Sequence, residues 1–281
     1  MTANGFSATG RPTGSGTGAP PPIPMARRPP RRLRTVFAVG GARLRERLDG
    51  PHRETPILHR GRDAIYLEDA GWCLGVVTRS ATHVPCALVL AGAAAVDLST
   101  VDRAEVGDGS VVLHAGRLQV AVRLGRLANL LVPRLRSAPP SYVVERMLGH
   151  ARVAVDELGD PSALRRQVMA SPSRLLGRGS GLTPLGDDVL AGWAAASVAL
   201  GLPSTGPDPR ERTTLLSATL LDCARRGEVL PEFRALVLAL AAPNELRGVD
   251  KAARALAAVG HTSGAGMLLG ACLRLDGDHN R

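Results

Sequence analysis

GRGSGLTPLGDDVLAGWAAASVAL, residues Gly177 to Leu200, decides how the rest of the chain is read. Its first half sets Gly177, Gly179, Gly181 and Gly186 around Thr183, Pro184 and two adjacent carboxylates, Asp187 and Asp188. From Val189 onward it is apolar on nearly every helical face, which predicts a helix at the centre of its domain. The glycines at 177, 179 and 181 let the backbone take positive φ and approach a ligand closely, and Thr183-Pro184 forces an extended approach to the helix. Asp187 or Asp188 is expected to cap that helix. One carboxylate suffices for a cap, so the other is surplus at a partly buried turn, suited to binding a metal, acting as a base or holding an amide nitrogen.

GHTSGAG, Gly260 to Gly266, repeats the pattern before a second apolar run. Thr262 or Ser263 can cap a final helix through Leu275. His261, beside these hydroxyls, Gly264 and free amides, suits a phosphate or carboxylate. Gly266 and Gly270 have the small-xxx-small spacing of a close helix contact. Between the two glycine-rich stretches, Pro209 to Arg226 reads as a helix closed by Gly227. Its Thr214 and Ser217 can point hydroxyls into a site or bond back to helix carbonyls. Pro231 to Leu240 and Val249 to Ala257 trace two further helices. Upstream, Ser141 is positioned to cap a helix that runs to Gly159, and Asp160-Pro161 caps the next.

Residues before Pro139 have a different character. Ala64 to Glu68, Trp72 to Thr78, Ala87 to Leu90, Val111 to His114 and Leu118 to Val122 are short and rich in Val, Ile, Leu and Tyr, with turn residues between them. Asp108-Gly109 and Ala115-Gly116 predict hairpins, with the upstream partner near Val96 to Val106. Thr35 to Leu48 reads as a helix. His59, His83 and His114 are isolated in sequence and read as structural or solvent-facing. The fold class is therefore α+β: a Gly/Pro/Arg-rich disordered leader at 1–33, a β-rich domain of short antiparallel strands at 34–138, and a helical domain at 139–281 that carries the glycine-rich motifs.

Composition narrows function. The formal charge of +10 arises from 35 basic and 25 acidic residues, yet Lys251 is the sole lysine and aromatics are only 2%. Nucleic-acid binding, which needs clustered cations and stacking rings, is not supported. The four cysteines are irregularly spaced and read as buried apolar residues rather than zinc ligands. Neither a signal core nor a membrane-spanning run is legible, which points to the cytoplasm and to no membrane partner. GxSxG, Walker, GxGxxG and HExxH motifs are absent, which removes the signatures of common hydrolases, NTPases, dehydrogenases and zinc proteases.

GSGLTPLGDDVLAGW, RTTLLSATLLDCARRGE (Arg212 to Glu228) and GHTSGAGMLLG together resemble a bacterial family that includes a subunit of oxamate carbamoyltransferase from anaerobic allantoin degradation, a branch of purine catabolism. The resemblance runs over roughly Met147 to Leu275; the β-rich half shares only its layout. It implies a transferase subunit that moves a carbamoyl group between carbamoyl phosphate and oxamate, with oxalurate as the carbamoylated partner. It also implies companion subunits, one of them similar to acyl-CoA synthetases. By motif position it marks Gly179, Gly181, Thr183, Gly186, Asp187 and Asp188, and Gly260, His261, Thr262, Ser263 and Gly264. The chemistry assigns Asp187 or Asp188 to the substrate nitrogen, and His261, Thr262 and Ser263 to the phosphate or carboxylate. Two alternatives stand beside it. One is a metal-assisted hydrolase or phosphotransferase with magnesium on Asp187 and Asp188; the other is a non-catalytic ligand-binding subunit.

Overall fold

The structure is a computed structural model that describes residues 32–92, 97–242 and 246–276. Nine strands come first: β1 (Arg32–Gly40), β2 (Arg53–Thr55), β3 (Ile57–Arg60), β4 (Ala64–Asp69), β5 (Trp72–Val77), β6 (Ala87–Leu90), β7 (Arg103–Gly107), β8 (Ser110–Ala115) and β9 (Leu118–Leu127). A helix, α1 (Ala42–Leu48), follows β1. Eight more helices complete the described chain: α2 (Ser141–Leu148), α3 (Arg152–Leu158), α4 (Pro161–Ala170), α5 (Leu185–Ala199), α6 (Leu215–Arg225), α7 (Pro231–Ala241), α8 (Leu246–Ala257) and α9 (Ser263–Leu275). This is the expected α+β class.

The strands form one sheet in the order β2-β7-β8-β9-β1-β6-β5-β4-β3. Its two edge strands, β2 and β3, are separated in sequence by Pro56 alone. Two residues of chain span only about 7 Å, so the sheet curls until its edges nearly meet, which leaves little of either edge free. Pro56 lacks the N–H a ladder needs, while its carbonyl still accepts from Glu68 N at 2.9 Å. Most pairings are antiparallel as expected, but β1 with β9 and β5 with β6 run parallel. The hairpin turns fall where Asp108-Gly109 and Gly116 supply positive φ, and β7 is the anticipated partner of β8. Val96, the start of the range proposed for that partner, lies outside the described residues.

Three local expectations are corrected. Thr35 to Gly40 is strand, not helix: Thr35, Val36 and Val39 are β-branched, and a ten-residue partner, β9, offers a full ladder that a short amphipathic helix would forgo. Only Ala42–Leu48 is helical, and it buries Leu44 and Leu48. Ser141 is the first helical residue rather than the cap, which is Pro140, without a side-chain cap bond. The helix expected from Pro209 begins at Leu215, because the Thr214 hydroxyl accepts from Ser217 N and caps it there. β1 also begins at Arg32, within the span read as leader; residues 1–31 of that leader lie outside the described residues.

The helices pack around α5, of which nearly every residue is buried. α5 and α9 approach so closely that a Cβ on Gly192 would lie 1.9 Å from the Met267 carbonyl oxygen, and one on Gly270 1.9 Å from that of Val189. Sheet and helices share one hydrophobic core. They are tied further by Arg43 of α1, whose guanidinium meets Asp222 at 2.9 Å and Glu228 at 3.0 Å, and by paired backbone bonds between Leu130–Val132 and Gly227–Val229. All four cysteines are free and buried. Among the described residues, no helix is long and apolar enough to cross a membrane.

Candidate functional site

Neither aspartate caps α5. The helix starts at Leu185 with Pro184 in the N-cap position, which places Asp187 and Asp188 in the first turn. There they still complement the helix dipole, and both are about 2% exposed. Being adjacent on a helix, they project about 100° apart, and their partners differ accordingly.

Asp187 faces α6 and the glycine loop. It accepts from Gly177 N at 2.9 Å, from Ser217 Oγ at 2.8 Å and from the Thr213 hydroxyl. Thr214 donates to Leu182 O at 2.6 Å and caps α6. The hydroxyls of Thr213, Thr214 and Ser217 are thus occupied in holding residues 177–182 against the α6 start. Gly177 takes φ 71° and a Cβ there would sit 2.3 Å from Arg212 O, so the loop follows this path only with glycine.

Asp188 faces the other way, into a cavity of about 180 Å³ that it lines with Thr183, Ser263, Gly260, Tyr66 and Thr82. A single water needs roughly 10–15 Å³ of such space, so the cavity can take a small molecule. The Thr183 and Ser263 hydroxyls lie 2.7 Å apart and join the two glycine-rich stretches at the polar end. The remaining wall is aliphatic, including Leu216, Leu220, Leu230 and Met267. Asp188 Oδ2 is buried without a hydrogen-bond partner. Burial raises the Asp188 pKa to about 8, helped by the charge on Asp187 and opposed by the Ser263 and Thr183 hydroxyls. At neutral pH the side chain is mostly a neutral acid. Burial likewise keeps the Tyr66 phenol protonated.

The structure therefore gathers Thr183, Asp188 and Ser263 in one cavity and assigns Asp187, Thr214 and Ser217 to the scaffold beneath it. Gly179 and Gly181, with φ of 113° and 94°, lie in the exposed loop leading to Thr183. Gly186 and Gly264 are packing positions, where a Cβ would lie 2.2 Å from Leu175 O and 1.9 Å from Leu256 O. Thr262 occupies the N-cap position of α9 without a side-chain cap bond. His261 is exposed, next to Gly260 but not among the cavity-lining residues. His114, read as isolated, is buried with its Nε2 3.1 Å from Glu105, a pairing that the hairpin register creates. Tyr66 and Thr82 come from the sheet half, lie in no motif and are not legible as site residues in the sequence.

A shared ion on Asp187 and Asp188 does not fit this arrangement. Their carboxylates turn to different elements, and among the described residues no group of three or more His, Cys, Asp or Glu side chains could hold a metal.

The arrangement is a cavity large enough for a small molecule, with one carboxyl and two hydroxyls at its polar end. Comparison with known proteins adds a family: residues 175–275 match the model of oxamate carbamoyltransferase subunit AllH. That span includes all of α5 through α9 and both glycine-rich stretches, so the resemblance carried by those motifs is to this family. No curated protein and no solved structure matches the chain.

Proposed function

We propose that this chain is a subunit of a multi-subunit carbamoyltransferase and that the Asp188 cavity receives the amide end of oxamate or the corresponding part of oxalurate. The observation that carries the proposal is the buried, unpartnered carboxyl oxygen of Asp188 beside the Thr183 and Ser263 hydroxyls. A carboxylic acid with a pKa near the working pH can both give and take a proton, which carbamoyl transfer requires.

In the direction of oxalurate breakdown, a phosphate oxygen attacks the carbamoyl carbon and the bond from that carbon to the oxamate nitrogen breaks. Asp188 gives its proton to the departing nitrogen and regains one from hydrogen phosphate, which leaves oxamate and carbamoyl phosphate. The reverse direction uses the Asp188 carboxylate as base. Thr183 and Ser263 orient the amide, and amides of the loop at 179–182 and of the α9 start meet the anionic end. His261 stands at the rim of this second group. The acyl-CoA-synthetase-like subunit is the proposed companion, and the cytoplasm the proposed location for a reaction between soluble acids.

The test is Asp188→Asn in the complex reconstituted with its companion subunits. General acid–base catalysis typically contributes about 10²–10⁴-fold. kcat should fall at least about 100-fold with a smaller change in KM, while the circular dichroism of the variant stays that of the wild type. Full activity in a folded Asp188→Asn protein would refute this role. If the isolated chain binds oxamate without turnover in any reconstitution, it is a ligand-binding subunit instead.

A further inference from the structure

A second cavity, of about 460 Å³, lies at the end of strands β9, β1 and β6 and is lined by Arg79, His83 and Arg126 over an apolar floor that includes Val39, Val89 and Leu130. The sheet register builds it. Val39 pairs with Arg126 on one side and with Val89 on the other, so the three form one row across three strands. That row depends on a bulge. Ala38 is opposite Leu124 but Val39 is opposite Arg126, so Gly125 is skipped. In an unbroken strand Arg126 would share the face of Leu124; the one-residue shift turns it to the face of Val39, which is how bulges re-aim side chains. Gly125 allows the crowding, since a Cβ there would come 3.1 Å from the Phe37 side chain.

We infer that this cavity is a binding site for a small molecule carrying one oxyanion group, phosphate or carboxylate, on an apolar body. Two arginines, Arg79 and Arg126, line one cavity to which no Asp or Glu residue contributes, and neither forms an ion pair among the described residues. Arg79 and Arg126 are both exposed; like charges above an apolar floor repel, and an oxyanion between them relieves that repulsion and matches the planar guanidinium fork. The volume and the ratio of apolar floor to few polar groups are those of small-ligand sites. The segment Thr82–Val84 separates this site from the Asp188 cavity, with Thr82 lining one, His83 the other and Val84 both. The inference stands on this lining alone and does not depend on the carbamoyltransferase proposal.

Isothermal titration of the full chain with phenyl phosphate, benzoate and inorganic phosphate tests it. At least one aromatic anion should bind, more tightly than inorganic phosphate because the floor is apolar; which of the two binds identifies the oxyanion. The double variant Arg79→Gln, Arg126→Gln should weaken that binding at least tenfold. Asp188→Asn should leave it unchanged, as should Arg152→Gln, Arg166→Gln, which removes the same charge from elsewhere on the surface. Absence of binding by both aromatic anions overturns the inference. So does equal affinity in the Arg79→Gln, Arg126→Gln variant, or an equal loss in the surface-charge control.

Discussion

The hydroxyls of Thr183 and Ser263 lie 2.7 Å apart although 80 residues separate them. This bond joins the loop before α5 to the loop before α9, and both residues border the cavity that holds Asp188. Thr183→Val and Ser263→Ala should therefore not act independently. A double-mutant cycle in urea unfolding is expected to return a coupling of about 0.5–1.5 kcal/mol, the net worth of such a bond. Additive effects would mean that the loops are held together by the packing of α5 on α9 alone.

Asp187 predicts a different phenotype from its neighbour. Its carboxylate satisfies a backbone N–H and two hydroxyls in a place with almost no water. Asp187→Ala leaves those donors without an acceptor and should cost about 2–4 kcal/mol. Asp187→Asn, which keeps one carbonyl oxygen, should fall between that variant and the wild type. Denaturant titration of the three proteins measures the order. An Asp187→Ala protein as stable as the wild type would show that the loop at 177–182 is not anchored through this side chain.

The helical half was legible because its signals are local. Apolar periodicity, Asp160-Pro161, Gly227 and Gly260 mark its elements, and the glycine-rich stretches carry Asp188 and Ser263 within short motifs. The division of labour between Asp187 and Asp188 was not legible. It depends on Thr213 and Ser217 arriving from α6 on one side and Ser263 from α9 on the other. Thr35 to Leu48 has helical spacing, and its first part is a strand through pairing with β9, about 85 residues away, and with β6 on its other side. Tyr66, Thr82 and the Arg79–Arg126 cavity were invisible for the same reason: each depends on long-range register rather than on a motif.

The α5–α9 contact predicts severe intolerance at Gly270. A Cβ there would meet the Val189 carbonyl oxygen at 1.9 Å and Trp193 N at 2.8 Å, and both are backbone atoms that cannot rotate away. Overpacking typically costs 1–3 kcal/mol, and Gly270→Ala should reach at least about 3 kcal/mol although alanine favours helix by roughly 1 kcal/mol. Thermal denaturation should show the loss as a lowered Tm. An unchanged Tm would mean that the two helices can separate without penalty.

Asp188 makes stability depend on pH in a direction opposite to that of most aspartates. In the unfolded chain an Asp titrates near 3.9, whereas in the folded protein burial moves Asp188 up to about 8. Between those values the folded chain holds one proton more than the unfolded chain, so stability falls as pH rises through that window. The slope is at most about 1.4 kcal/mol per pH unit. Above the folded pKa both forms are ionised and the slope vanishes; below about 4 both are protonated and the contribution is complete. Asp188→Asn carries no titrating proton, so subtracting its unfolding free energy from that of the wild type at pH 5.5, 6.5 and 7.5 isolates this group from every other. The difference should shift steadily against the wild type as pH increases. A difference that stays constant over the three values would show that Asp188 is already ionised in the folded protein, and its place as a proton donor would then be lost.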